Sequence, residues 1–367
     1  MASLLHSRRA RWAVPVVAAA ALVGVGPLLQ AVTADAHGSL PPRTAAQLLA
    51  DVSQAKVQAL SGTVVETADL GLPALPSLGG RGGDQASFSS MLSGSHTMRV
   101  WYAGPDRQRL ALLGQLGESD LVHDGTDVWA WSSHSNTATH WTVPAGHGSS
   151  DLTTPPSAMT TPQQAAEQAL AAIDPSTRVS TDPTASVAGR PAYQLALVPR
   201  DARSLVGSVR IAIDGATHVP TRVQVYARGS SSPAFEVGFT SLSTATPDAS
   251  VFGFTPPPGA EVVQGSKPSA DATAPRAGRP THHLQGMPAV VGKGWTRVLV
   301  ATLPTDQQSA GSSSTKAVLD ALPRVTGSWG SGRLLRTALL TAVLTDDGRV
   351  AVGAVPPELL YRALAAR

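Results

Sequence analysis

The chain has no cysteine, only 4% aromatic and 14% charged residues, and just four lysines among its 28 basic side chains. Each shortage excludes something. Without cysteine there is no thiolate nucleophile, no thiolate metal site, no disulfide framework and no lipid-attachment site of the bacterial lipoprotein type. The core alone must therefore supply the stability. Low charge combined with 42% hydrophobic residues rules out an acidic or polyampholytic disordered chain. Neither sign of charge dominates: three of the arginines, Arg8, Arg9 and Arg11, lie at the very start, and beyond residue 36 there remain 25 basic against 24 acidic residues. Nucleic acid is accordingly no expected partner. No P-loop, H-E-x-x-H or G-x-S-x-G occurs, and Gly330, Ser331 and Gly332 lack the strand–helix setting of a dinucleotide site. These gaps argue against an enzyme and against a bound cofactor.

What the chain does have is length and turn formers. Its 367 residues exceed one ordinary core, at roughly 100–200 residues per domain. With 34 Gly and 29 Pro, strands, turns and linkers are favoured over long helices. Residues 1–36 have a three-part layout: the basic stretch ending at Arg11, an apolar run from Trp12 to Leu29, and the small residues Ala34, Asp35 and Ala36. This reads as an export signal, cleaved or retained as a single membrane anchor. Either way the rest of the chain is expected outside the cytoplasm, secreted or associated with the cell envelope. The scarcity of Lys beside abundant Ala, Gly, Pro and Arg fits a high-GC bacterial genome.

Residues 43–60 carry Leu48, Leu49, Val52, Ala55, Val57 and Leu60 on one side of a helix that Ser61 and Gly62 end. The period then falls to two, giving strands at 63–69, 96–102, 107–113, 119–123, 127–132 and 138–143. A second helix is expected over 161–173, with Thr161 as its cap and Pro162 at its first position. Four further strands follow, marked by Tyr193/Leu195/Leu197, Val209/Ile211/Ile213, Val219/Thr221/Val223/Val225 and Phe235/Val237/Phe239. Alternation gives every strand one apolar face, and short links such as 214–218 suit hairpins. The fold class is α+β: one large curved antiparallel sheet with two helices across its apolar face. Residues 264–281 read as a linker. After it come strands at 295–303 and 339–344, a hairpin turn at 346–348 into 349–353, and a helix over 356–366. The tail is either a small separate α+β domain or extra strands of the large sheet. The expected layout is thus 1–36 signal or anchor, 37–263 main domain, 264–284 linker and 285–367 C-terminal part.

Candidates for chemistry are few. His123, Asp124, Gly125, Thr126 and Asp127 cluster, but as a turn between strands they are already explained, since Asp-Gly tolerates positive φ. His282 and His283 read as a solvated pair beside the linker. His134, His140 and His147 have no matching carboxylates, so no metal site is assigned. Candidates for binding are apolar. Residues 71–83 set Leu72, Leu75 and Leu78 on a Pro/Gly frame, either a loose insertion or a flap over a cavity. Trp101, Trp129, Trp131 and Trp141 fall within 41 residues of one another, as core filling or as the wall of a cleft. With them the expected apolar cavity takes in Tyr193, Leu195, Leu197, Ile211, Ile213, Val223, Val225, Phe235 and Phe239, because two helices leave part of so large a sheet face uncovered.

The order of elements then becomes familiar. Residues 122–131 (Val-His-Asp-Gly-Thr-Asp-Val-Trp-Ala-Trp), a mid-chain helix, residues 187–199 beginning Val-Ala-Gly-Arg-Pro-Ala-Tyr, then 211–214, 219–222 and 252–259 follow one another. Over roughly residues 43–263 this resembles the outer-membrane lipoprotein carrier (LolA-like) superfamily, which also holds the periplasmic RseB/MucB regulators, and in particular its actinobacterial exported branch. The resemblance implies an incomplete β-barrel whose concave apolar face takes acyl chains under helices and a loop. The implied function is a lipid or lipoprotein-acyl carrier, with lipid or acylated protein as partner. The alternative it implies is an RseB-like regulator whose residues 285–367 hold a membrane anti-sigma factor or another membrane protein.

Overall fold

In a computed structural model of the chain, the residues described are 40–71, 93–114, 117–143, 160–265, 289–302 and 319–366. The signal layout, Leu72, Leu75 and Leu78, His147, most of the linker and the His282–His283 pair lie outside them. Helix α1 (Ala45–Gln54) opens with a capping box, in which the Thr44 hydroxyl accepts from the Gln47 amide and the Gln47 side chain accepts from the Thr44 amide. It is shorter than its periodicity predicts. Beyond Gln54 the chain is extended, with Val57 and Ala59 turned inward between exposed Lys56 and Gln58, so the apolar spacing there has period two. Ser61 and Gly62 do not end the helix; they belong to β1 (Leu60–Asp69).

The following strands are β2 (Ser93–Tyr102), β3 (Arg107–Leu113), β4 (Glu118–Asp124), β5 (Asp127–Ser132) and β6 (Thr137–Thr142). Helix α2 (Pro162–Ala171) has Thr161 as its cap and a second capping box with Gln164, where the sequence places it. Strands β7 (Thr177–Val187), β8 (Arg190–Pro199), β9 (Val206–Asp214), β10 (Pro220–Ala227) and β11 (Pro233–Ser243) come next. A 3-10 turn at Ala249–Phe252 then leads to β12 (Glu261–Gln264). All twelve strands form one open sheet in the order β12-β6-β5-β4-β3-β2-β1-β11-β10-β9-β8-β7, a curved half-barrel not closed on itself. It is antiparallel but for one correction: β12 runs parallel to β6.

Residues 289–353 build a second sheet of their own. It consists of β13 (Ala289–Val291), β14 (Val298–Thr302), β15 (Arg324–Gly327), β16 (Gly330–Arg336), β17 (Thr341–Thr345) and β18 (Arg349–Gly353), ordered β13-β14-β18-β17-β16-β15. Helix α3 (Pro357–Ala365) buries Leu360, Ala363 and Leu364 against Val298, Val300, Val343 and Ala351. Hydrogen bonds tie this sheet to the large one. The Leu205 amide donates to the Ala354 carbonyl at 2.8 Å and the Ala338 amide to that of Leu70 at 2.7 Å, while Trp295 Nε1 donates to Thr177 Oγ1 at 2.7 Å.

Candidate functional site

Strand register decides which side chains can share a site. Val64 lies opposite both Met98 and Phe239, and Glu66 opposite Val237, which continues the row through Val223, Ile211 and Leu195. In the other direction Met98 and Val100 face Leu112 and Leu110, and Leu110 faces Leu121 and then Ala130. One apolar face thus runs across the whole half-barrel. Its two halves differ in cover. Helices α1 and α2 make their main contacts with β7, β10 and β11. Beneath them Tyr193, Leu195, Leu197, Ile211, Ile213, Val223 and Phe239 are buried in the main core together with Leu48, Leu49, Ala166 and Leu170. Each such aliphatic burial contributes about 1.5–3 kcal/mol.

Over β2–β5 the same face continues, but Val100, Leu110, Leu112 and Ala130 are only half-buried. Leu110 bridges the main core and a smaller cluster of Leu121, Val128, Trp141 and Val143. This half is the candidate site: a mainly apolar surface at the margin of a firmly packed core. Its border carries one acid. Glu66 is 5% exposed, opposite His96 in the register, and its Oε2 accepts the Thr160 amide at 3.0 Å just before α2. Burial pushes its carboxyl above the ordinary value, against the pull of the Thr160 amide and His96.

The structure separates the expected cavity residues. Trp141 lies on the apolar face, with its Nε1 buried and unpartnered. Trp101, Trp129 and Trp131 share the opposite face, as the two-residue spacing of the last two requires. There Phe254 packs against both, at ring-centroid distances of 5.4 and 6.4 Å, and the Arg109 guanidinium sits 5.6 Å over the Trp101 ring. Arg109 also donates to Asp120 Oδ2 at 2.7 Å and to the Val251 carbonyl at 3.2 Å. This side is therefore strapped by the segment that follows β11. His140 stacks on Trp129 at 4.3 Å and pairs with Asp127 at 2.8 Å, so it does have a carboxylate partner, one that sequence distance hid. Val225 and Phe235 are half-buried at the edge of the helix-covered core. Val100, Leu110, Leu112, Leu121 and Ala130 are the site residues that the sequence reading missed. Their alternation within the strands was visible; the face they shared was not.

The His123–Asp127 stretch is the β4–β5 turn: Gly125 has φ +65°, and a ring nitrogen of buried His123 lies 2.9 Å from the Gly125 carbonyl. Among the described residues no group of three His, Asp or Glu is placed to hold a metal. Nor is any described helix long and apolar enough to cross a membrane.

No protein-family model matches the sequence, and no curated protein does. Among solved structures, a chain of the Pseudomonas aeruginosa MucA/MucB complex is similar at 19% identity, covering 87% of this chain and 96% of that one, with a TM-score of 0.41. A conserved protein from Thermus thermophilus aligns at 11% identity over 60% of this chain and 98% of its own, with a TM-score of 0.33. A LolA superfamily protein from Nitrosomonas europaea aligns at 11% identity over 58% and 99%, with a TM-score of 0.22. The likeness is one of fold alone.

Proposed function

We propose that this chain is a non-enzymatic, extracytoplasmic binding protein that shelters a lipid, or the acyl part of a lipoprotein, on the half of its apolar sheet face that the described helices α1 and α2 do not cover. The observation that carries this reading is the half-buried row Val100–Leu110, with Leu112 and Ala130 beside it, continuous with a sealed core. Burying hydrocarbon there contributes about 0.8 kcal/mol per CH₂, so a long acyl chain binds without catalytic groups or a cofactor. The export-like layout of residues 1–36 supports a site outside the cytoplasm. On this reading residues 37–263 form the binding unit, 264–284 the linker and 285–367 a small domain.

Native mass spectrometry and uptake of a fluorescent fatty acid by the full chain test the reading. Leu110→Asp and Leu112→Asp are expected to abolish uptake, whereas Leu299→Asp, in the second sheet, leaves it intact. A parent chain that carries no lipid and takes none up overturns it. One observation favours a second role beside this one. On the face of the second sheet opposite α3, Val290 and Leu299 are 59% and 40% exposed, which suits docking of residues 285–367 on a membrane protein such as an anti-sigma factor. For that role Leu299→Asp abolishes capture from an envelope membrane fraction while Leu110→Asp does not.

A further inference from the structure

The tip of the β7–β8 hairpin lines a cleft together with residues of β1, β10 and β11. Val65, Gly238 and Arg222 lie in register across these three strands, on the side opposite Val64 and Val237. Between them and the hairpin residues Ser186, Val187 and Ala188 is a half-open cleft of about 240 Å³. Ala188 and Gly189 both have positive φ, at 49° and 74°, which fixes a tight turn at the tip.

Two opposite charges line the cleft without meeting each other. Arg222 faces Gly238, and a side chain at that glycine would run into the Arg222 stem, whose Cγ lies 2.8 Å from the position of its Cβ. Gly238 thus lets the stem lie flat across β11. Among the described residues no hydrogen bond or ion pair engages the guanidinium. Glu236, two residues before Gly238 on β11, is held elsewhere. Gln224 Nε2 donates to its Oε2 at 2.7 Å, the Tyr226 hydroxyl donates to Gln224 Oε1 at 3.2 Å, and Arg210 sits 4.4 Å over the Tyr226 ring. As diagonal neighbours across the strand pair, Arg222 and Glu236 are about 7 Å apart at the backbone. Thr67, Ser186 and Thr240 complete the polar lining, and Val65, Val187, Ala188 and Phe239 supply the apolar part.

We propose that this cleft binds a small zwitterion, with its carboxylate or phosphate on Arg222 and its ammonium on Glu236. A purely anionic ligand would gain the guanidinium but meet the carboxylate in the same small volume, and a purely cationic one the reverse. A molecule bearing both charges on a short spacer satisfies both walls. Two sources share this chemistry, a free amino acid and the headgroup of an ethanolamine phospholipid. The charged groups of the site lie on the other side of the sheet from the acyl-binding face, while Phe239 and Val187 of the main core also line the cleft.

Titration calorimetry on the full chain tests the proposal, with alanine and phosphoethanolamine as zwitterions and with acetate, inorganic phosphate and ethylamine as single-charge probes. At least one zwitterion binds saturably, about tenfold or more tighter than any single-charge probe. Arg222→Gln and Glu236→Gln each weaken it about tenfold, close to 1.4 kcal/mol, and Arg178→Gln, at an exposed arginine on β7, does not. Arg222→Lys, which keeps the charge but loses the fork, gives an intermediate loss and serves if the glutamine variant fails to fold. Preference for phosphoethanolamine identifies the headgroup, and preference for alanine the amino acid. Equal binding of single-charge probes, unchanged affinity in the charge variants, or no saturation with any probe overturns it.

Discussion

At the scale of single residues, two buried carboxylates pull stability in opposite directions with pH. Asp214 is 1% exposed; burial alone would raise its pKa. Hydrogen bonds from Arg190, at 2.6 and 3.1 Å, and from the Thr217 amide and hydroxyl, both at 2.8 Å, outweigh that and hold it at about 2. Its folded pKa is depressed, so its contribution is complete above about pH 4 and is lost as the pH falls toward 2. Asp214→Ala leaves Arg190 without its partner and is expected to cost about 3 kcal/mol in urea unfolding at pH 7, a deficit that shrinks in acid. Glu66 has the opposite sign. Its folded pKa is raised, so it favours the fold while protonated and costs stability once the pH climbs past the ordinary value of 4.5. Glu66→Gln, which keeps an acceptor for the Thr160 amide, should therefore melt higher than the parent at pH 7, and the gain should vanish below about pH 4.

At the scale of elements, β1 depends on a glycine that occupies no special conformation. A Cβ at Gly62 would lie 2.2 Å from the Ser241 carbonyl oxygen and 2.9 Å from the Phe239 ring, beside the register shift between Thr63 and Val64. Gly62→Ala is expected to destabilise the fold by about 2 kcal/mol, read as a lowered denaturation midpoint with unchanged slope. The same strand shows where sequence stops being informative. Thr44 with Gln47, and Thr161 with Gln164, are local signals, and both helices start where those residues say. The segment 55–59 misleads because Ala55, Val57 and Ala59 fit helical and extended spacing alike over so short a run. Strand β7 was illegible because Pro183 interrupts a polar stretch, a pattern only an edge strand tolerates. Strand β12 was illegible because its four residues pair with Thr137 to His140, more than 120 positions earlier, and nothing local encodes that. The site suffered likewise: alternation told that Leu110 and Leu112 share a face, but only register joins them to Ala130 and parts Trp141 from Trp129.

For the whole molecule, the second sheet is held against the first by a few directional contacts and a small apolar seam of Trp295, Leu339 and Ala354 on the main core. The approach is close. A side chain at Gly294, φ +55°, would meet Ser176 Oγ at 2.1 Å. Trp295→Phe removes the bond to Thr177 while keeping most of the apolar contact, and should cost about 1 kcal/mol, with faster amide exchange around Thr177 and Ala354 than in the parent.

Among the described residues the open sheet of twelve strands has two borders that pair with no further strand, and each is a template on which further chains can stack. Here one border is β7, where Pro183 offers no N–H and the pairing slips between Asp182 and Ala185. The other is β12, only four residues long and laid in the reverse sense to the pairs around it. Both features make a poor template for a further strand, so the sheet stays unclosed with its two described borders guarded.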